Sequence, residues 1–305
     1  MEPALRIGID LGGTKIAGIA LDANGETVAH SRAGAPRDDY RGTIAAITAL
    51  IAGMTEGAAE NQRIGIGIPG SVSPATGRVQ NANSTWLNGK PLKQDLERAL
   101  RCPVRLANDA NCFALSEAVD GAGEGARCVF GVIIGTGCGG GLVIDRTLVD
   151  GPRGIGGEWG HNPLPWPEPD EYPGPQCWCG RKGCMETWVS GPGMAADHER
   201  FFGETLDAED IASSAGRGCG KARQSLDRHA SRLARGLAGI INIFDPDRIV
   251  LGGGLSNMTH LYEQLPGLIA PHIFSDNTGI EICPPRHGAE SGVRGAAWLW
   301  GRTAV

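Results

Sequence analysis

The sequence predicts an α/β protein of two domains. Three observations carry that prediction. The chain has 305 residues, enough for two domains of ordinary size. Short apolar strands alternate with amphipathic helical segments along it. Three of the strands run into glycine turns, at Gly12-Gly13, Gly135 to Gly141 and Gly252 to Gly254. Hydrophobic residues make up 41% and charged residues 20%, the composition of a globular chain that buries a large core.

In order, Leu5-Arg-Ile-Gly-Ile-Asp10 reads as a strand ending in Leu-Gly-Gly-Thr-Lys15, followed by strands over 16–21 and 27–32. A glycine turn at Gly12-Gly13 brings backbone N–H groups close to an anion, with Thr14 and Lys15 adding a hydroxyl and a charge. A plain hairpin is the other reading of the same spacing. Residues 41–56 have helical periodicity, with Ile44, Ala46, Ile47, Leu50, Ile51 and Met54 on one broad face. Residues 63–69 form a strand buried on both faces, and polar loops follow over 70–77 and 81–88. A helix over 91–100 and a strand over 103–107 lead to Asn108-Asp109 and a helix over 110–119. Asn108 or Asp109 is either that helix's N-cap or a functional group at the carboxyl end of a strand.

Residues 127–134 form the next strand, running into Gly135-Thr-Gly-Cys-Gly-Gly-Gly141 and a strand over 142–144. This second turn matches the first in kind, which suggests a pair of phosphate clamps from a duplicated unit. The pattern G-x-G-x-x-G occurs at Gly135, Gly137, Gly140 and at Gly65, Gly67, Gly70, but neither instance opens a helix, so the dinucleotide-binding reading is weak. No Walker A lysine motif is present. Ser190-Gly-Pro-Gly193 reads as a chain break, and helices are expected over 194–202, 208–215 and 221–244. A strand over 249–251 enters the third glycine turn, Gly252 to Gly254, which opens toward a helix over 258–269. That geometry suits a nucleoside or its phosphates. A strand over 281–283 and a helix over 291–300 complete the chain.

Cys177, Cys179 and Cys184 have metal-ligand spacing, and Gly180 and Gly183 let the backbone turn tightly round an ion. His161 is the nearest upstream histidine, across a Pro-rich loop. The expected site is a closed structural zinc centre of His161, Cys177, Cys179 and Cys184, with Glu158 and Glu186 beside it; ordinary buried thiols are the other reading, against which the clustering argues. The other six of the nine cysteines are scattered, as in free thiols of a reducing cytoplasm. The start, Met-Glu-Pro-Ala-Leu-Arg, has no signal-peptide pattern, and no apolar run reaches membrane-span length. A net charge of −6 argues against nucleic acid or an anionic membrane surface as partner.

Together, Asp10-Leu-Gly-Gly-Thr-Lys15, Asn108-Asp-Ala-Asn111, Ile134 to Gly141, Glu158-Trp-Gly-His161, the Cys177 to Glu186 run and Leu251-Gly-Gly-Gly-Leu-Ser256 resemble the ROK family of sugar kinases. Within it, Asn83-Ser-Thr-Trp-Leu-Asn-Gly89, Glu158 to Trp166 and the Ser291 to Trp300 end look most like the bacterial fructokinase (manno-fructokinase) branch. The N-acetylglucosamine kinases are similar but differ around Ser84 to Leu87.

The resemblance implies an actin-like ATPase (ribonuclease H-like) fold with a structural zinc loop. It implies two α/β domains, 1–117 with the helix 291–305 packing back on it and 118–290 carrying the zinc, with a cleft between them. It implies ATP, Mg2+ and Zn2+ as cofactors, and a homodimer. Asp10, Gly12, Gly13, Thr14 and Lys15 would hold ATP phosphates and the magnesium shell. Thr136 and Gly137 would hold phosphates, and Gly252, Gly253 and Gly254 would lie near the adenosine. Asp109 matches the catalytic base. Asn83, Asn108, Asp109, Glu158, His161 and Glu186 would bind a hexose, with D-fructose the expected substrate and mannose, glucose and N-acetylhexosamines the alternatives. The loop between His161 and Cys177 is longer than in many members, and Trp159 stands where Phe is commoner. The family also contains sugar-responsive repressors with an added DNA-binding domain, for which an acidic chain entering its first strand near residue 5 is a poor match.

Overall fold

The computed structural model describes residues 5–55 and 62–301. The start of the chain, the expected end of the first helix at Glu56 and residues 302–305 of the expected terminal helix lie outside the described residues. The chain forms two compact units, Met1–Gly125 with Gly141–Gly157 and Arg286–Val305, and Ala126–Gly140 with Glu158–Pro285.

The first unit is built from β1 (Arg6–Leu11), β2 (Lys15–Leu21), β3 (Thr27–Gly34), α1 (Tyr40–Met54), β4 (Arg63–Ile68), the short β5 (Ser71–Val72) and β6 (Val79–Gln80), α2 (Leu92–Leu100), β7 (Val104–Asn108) and α3 (Asp109–Val119). Its sheet has the order β3-β2-β1-β4-β7. β1 pairs antiparallel with β2 and parallel with β4, and β4 pairs parallel with β7. The Ile-Gly-Ile pattern of β1 and β4 buries Ile7, Ile9, Ile64 and Ile66 completely. Asp39 caps α1, accepting from the Gly42 amide, and the helix buries Ile47, Leu50, Ile51 and Met54 against the sheet.

The remaining elements are β8 (Cys128–Ile134), β9 (Cys138–Ile144), β10 (Thr147–Leu148), α4 (Glu186–Val189), α5 (Gly191–Phe202), α6 (Ala208–Gly216), α7 (Gly220–Phe244), β11 (Arg248–Gly252), α8 (His260–Ile269), β12 (Glu281–Cys283) and α9 (Ser291–Trp298). The second sheet has the order β10-β9-β8-β11-β12, with β11 parallel to both β8 and β12. Each sheet therefore centres on a strand that leaves through a glycine turn into the next.

The terminal helix α9 returns to the first unit. It lies directly on β1 and β4 because Gly8 and Gly65 have no side chain. A methyl on Gly8 would stand 2.0 Å from the Val293 carbonyl oxygen, and one on Gly65 1.9 Å from that of Ala296. Polar groups fix the return. The buried Glu117 accepts from the Ser291 hydroxyl at 2.6 Å and the Arg286 amide at 3.0 Å. Asp120 accepts from Arg294 Nη2 at 2.7 Å and from Trp298 Nε1 at 3.0 Å.

Several boundaries differ from the sequence reading. Ser190-Gly-Pro-Gly193 does not break the chain but starts α5, with Ser190 accepting from the Gly193 amide and Pro192 in the first turn, where no intrahelical N–H is lost. β9 begins at Cys138, inside the glycine run, because the sheet ladder claims those backbone groups. A 3-10 turn, Gly254–Asn257, stands between β11 and α8, which starts at His260. α9 ends at Trp298 rather than Trp300.

In the second unit a buried charge cluster ties the Pro-rich loop to α7. Glu171, only 6% exposed, accepts from Arg232 Nε at 2.7 Å and from Arg235 Nη1 and Nη2 at 2.7 and 2.8 Å. Asp197 accepts from Arg232 Nη1 at 2.6 Å and Arg228 Nε at 2.9 Å. Burial alone would raise the Glu171 carboxyl, but the bonds from Arg235, the Glu168 amide and Arg232 outweigh it and hold it at about 2. A depressed carboxyl stabilises the fold above its ordinary value, and that contribution is lost as pH falls toward 2. Glu171→Gln is thus expected to cost about 3 kcal/mol at pH 7. Urea unfolding should show the gap from wild type narrowing by roughly 1 kcal/mol by pH 4. A gap that stays constant with pH would remove the charge from this role.

Candidate functional site

Three groups of residues surround the glycine turns. In the first unit, the Gly12 amide donates to the Lys15 carbonyl at 3.0 Å and closes the β1–β2 turn, leaving Gly13, Thr14 and Lys15 exposed. Asp10 lies at the end of β1. Its neighbour across the sheet is Gly67, where a methyl would sit 3.7 Å from Asp10 Oδ1. Burial first, and then the charge of Asp109, push the Asp10 carboxyl up to about 6, with Lys15 only partly offsetting them. Two carboxylates that repel each other in a crowded place are a donor set for a hard divalent cation, so Asp10 fits a place in a magnesium shell.

β7 delivers Asn108 and Asp109 to the same region. Asn108 is the N-cap of α3: its Oδ1 accepts from the Ala110 amide at 2.9 Å and its Nδ2 donates to the Gly70 carbonyl at 3.1 Å. The Asn108 side chain also bonds the neighbouring Asp109 carboxylate and works against the rise in its pKa. Asp109 is the first residue of α3 rather than its cap, and its Oδ1 also accepts from the Ala110 amide, at 2.8 Å. The carboxyl is open to solvent on one side and crowded by protein on the others. That crowding raises its pKa, and the Ala110 amide opposes the rise. Asn83 is exposed, in the loop before the 3-10 turn Thr85–Leu87.

The second group lies wholly in the second unit. Glu158, Trp159 and His161 sit on and beside a 3-10 turn, Trp159–His161. Trp159 is buried, donating from Nε1 to the Gly139 carbonyl at 2.9 Å. Glu186 starts α4, and its Oε2 accepts from the Cys138 amide at 3.0 Å. Trp178 Nε1 donates to Glu186 Oε1 at 2.7 Å.

One ligand atom from each of His161, Cys177, Cys179 and Cys184 lies within 4.8 Å of all the others. Cys177 Sγ is 3.6 Å from His161 Nδ1, and Cys179 Sγ is 3.6 Å from Cys184 Sγ. Ligands on a tetrahedral zinc ion stand roughly 3.5–3.8 Å apart, so these two edges are already at ligand separation. Gly180 at φ +88° and Gly183 at φ +70° make the turns around the cluster. Burial, and then the neighbouring Cys179 and Cys177, push the Cys184 thiol up to about 12; a cation at the centre would reverse that. The donor set fits zinc.

The third group lines a cavity of about 1060 Å3, also wholly within the second unit, with Gly135, Thr136, Gly191, Asp207, Arg223 and Gly254 on its wall. The Gly135 amide donates to the Gly137 carbonyl at 3.0 Å and closes the β8–β9 turn. Gly137 meets the second group, since a methyl there would sit 2.9 Å from Glu186 Oε2. Gly252 is buried in β11, and Gly253 turns the chain at φ +83°, where a methyl would meet the Ile134 carbonyl oxygen at 2.3 Å.

The profile of the ROK family matches residues 6–303. The chain belongs to the ROK family. The N-acetyl-D-glucosamine kinases of Photobacterium profundum and Vibrio cholerae serotype O1 are each 40% identical to this ROK chain over 296 residues, 96% of it and 98% of each of them. Among solved structures, a ROK hexokinase from Thermus thermophilus superposes with a TM-score of 0.86 at 30% identity, covering 97% of both chains. A ROK family glucokinase from Streptomyces griseus, in complex with glucose and AMPPNP, gives 0.77 at 29% identity over 97% of this chain and 99% of that one. The two-domain actin-like ATPase fold is therefore the fold of this ROK protein. These curated relatives are N-acetyl-D-glucosamine kinases, which leaves the expected fructokinase branch without support from them.

Sequence reasoning missed the cavity residues Asp207, Arg223, Asp227, His260 and Gln264, which α6, α7 and α8 and their flanking turns bring together. Their spacing carries no signal, because each helix shows only ordinary amphipathic periodicity. Trp178 was also missed. Its position between two ligand cysteines was the available signal.

Proposed function

We propose that this ROK protein is an ATP-dependent sugar kinase, transferring the γ-phosphoryl group to a hydroxyl of a hexose or N-acetylhexosamine. The observation that carries it is Asp109: an accessible carboxylate of raised pKa at a strand end beside Asp10, in a chain matched along its length by sugar kinases.

Asp109 accepts the proton of the attacking hydroxyl as the new P–O bond forms. Its raised pKa brings it closer to neutrality and makes it a better base. Glu158, His161 and Glu186, with Asn108 and Asn83, hold and orient the sugar through hydrogen bonds. The Gly12-Gly13 and Gly135 to Gly137 turns, with Thr14, Lys15 and Thr136, hold the phosphates through amides other than those of Gly12 and Gly135, which close the turns, and Asp10 would anchor the magnesium shell. Magnesium-bound ATP supplies the phosphoryl group. The cavity lined by Gly135, Thr136 and Gly254 takes the nucleoside. His161, Cys177, Cys179 and Cys184 would hold zinc in a structural role, since four protein ligands make a closed set. We place the enzyme in the cytoplasm as a homodimer, on the family resemblance.

N-Acetyl-D-glucosamine is the first candidate acceptor, on the names of the relatives. D-Fructose is the second, on the likeness of residues 83–89, 158–166 and 291–300 to the fructokinase branch. A coupled ADP-release assay with Mg-ATP across N-acetylglucosamine, glucose, mannose and fructose decides between them. The highest kcat/KM is expected with N-acetylglucosamine. A preference for fructose would reverse the order, and ADP release unaffected by every sugar would end the kinase reading.

A further inference from the structure

We propose that Trp178 is a further residue of the acceptor-sugar subsite, positioning Glu186 through its indole N–H and offering its exposed ring to the sugar beside His161. The inference rests on the reading of Glu186 and His161 as sugar-binding groups.

Trp178 stands apart from the chain's well-packed tryptophans. Trp159, Trp188 and Trp298 are 3%, 1% and 1% exposed, whereas Trp178 is 70% exposed. Exposure on that scale usually goes with a free side chain, but Trp178 is held at two points. Its Nε1 donates to Glu186 Oε1 at 2.7 Å. Its ring stands edge-on to His161, with centroids 4.9 Å apart and planes at 86°. The backbone beneath it is anchored as well, since the Cys177 amide donates to the Arg181 carbonyl at 2.8 Å. The indole is therefore an ordered apolar surface left open to solvent, tied to the two groups proposed to grip the sugar.

The bond to Glu186 also has a directional consequence. Oε2 is taken by the Cys138 amide at 3.0 Å and Oε1 by the indole, so the carboxylate is fixed from both sides. Each oxygen keeps acceptor capacity for sugar hydroxyls. Charge-assisted bonds of this kind hold an orientation firmly. Sugars present polar edges and a C–H face. Glu186 and His161 address the edges, and an aromatic surface beside them is the usual complement to a few placed polar groups.

The test uses Trp178→Phe, which keeps a ring and removes the N–H, and Trp178→Ala, which removes both. Zinc content, melting temperature, steady-state kinetics and sugar binding without nucleotide, by calorimetry, are measured for each. Trp178→Phe should raise the sugar KM roughly tenfold and Trp178→Ala further, with the KM for ATP within about twofold of wild type. Zinc content and melting temperature should stay at wild-type values in Trp178→Phe. A sugar KM unchanged in both variants, with an active wild type, overturns the inference and leaves the kinase reading intact. A rise that comes with lost zinc in Trp178→Phe overturns it too, assigning the ring to loop stability. A wild type that neither binds nor phosphorylates any sugar removes the kinase reading and, with it, this subsite.

Discussion

Asp109→Asn is expected to bind sugar and Mg-ATP and to turn over at least about a thousandfold more slowly than wild type. Asparagine keeps the volume, and its oxygen can still accept from the Ala110 amide, which now bonds Asp109 Oδ1 at 2.8 Å. Asn108 keeps its cap on α3, so the helix start should not move. What disappears is a group able to take the hydroxyl proton. The fall should therefore lie in kcat, with a smaller change in sugar KM. The pH profile gives a second readout. Crowding holds the Asp109 carboxyl above its ordinary 3.8. Wild-type kcat/KM should fall as pH drops through that raised value, since the base must be ionised, and the variant's residual activity should lack this limb. Asp10 supplies a third readout. Its carboxyl is raised to about 6 partly by the Asp109 charge, so neutralising Asp109 should lower it and leave the magnesium shell unharmed. Near-normal turnover in Asp109→Asn would take the residue out of its role.

The legible parts of the fold were those whose signal is local. Asp10 to Lys15 reads as strand, turn and strand because its apolar alternation and glycines are contiguous, and β1 and β2 pair across that turn. The cysteine cluster is legible because three of its four ligands fall within eight residues; the structure adds that His161 Nδ1 faces Cys177. The long α7 follows from its apolar stripe. The parts that were not legible depend on distant partners. Glu171 meets Arg232 and Arg235 across 61 and 64 residues, and no periodicity links a carboxylate in a Pro-rich loop to two arginines on a helix. Gly8 and Gly65 look like ordinary strand glycines until α9 lies against them. Gly191-Pro192-Gly193 carries breaker residues that also suit a helix start, and the Ser190 cap decides the matter only in three dimensions. The acceptor sugar was the least legible, because it was read from three short stretches, residues 83–89, 158–166 and 291–300, while the relatives at 40% identity are N-acetyl-D-glucosamine kinases.

Cys184→Ser should release the zinc and lower both stability and sugar affinity. Cys184 is 1% exposed and sits in a part of the loop that is tied at several points. Its Sγ is 3.6 Å from Cys179 Sγ, and its backbone bridges to Pro163, two residues from His161. Next in sequence, the Met185 amide donates to the Asn162 carbonyl at 2.8 Å, and Glu186 follows. One ion at this point would therefore fix both the histidine and the carboxylate proposed to hold the sugar. A serine hydroxyl is a poor zinc ligand, and a three-ligand remnant should lose the metal. Free zinc-finger peptides draw about 10–16 kcal/mol from such a site, but this loop is also held by α7 through Glu171, so only part of that is at stake. A loss of about 3 kcal/mol or more in unfolding free energy is expected. Sugar KM should rise roughly tenfold or more, with a smaller change for ATP, because the cavity lined by Gly135, Thr136 and Gly254 shares none of the four zinc ligands. Chelator-treated wild type should reproduce the variant, and restored zinc should rescue the wild type alone. A zinc-free variant that melts and binds sugar as wild type does would make the cluster irrelevant to the sugar wall, and Glu186 would then owe its orientation to Cys138 and Trp178 alone.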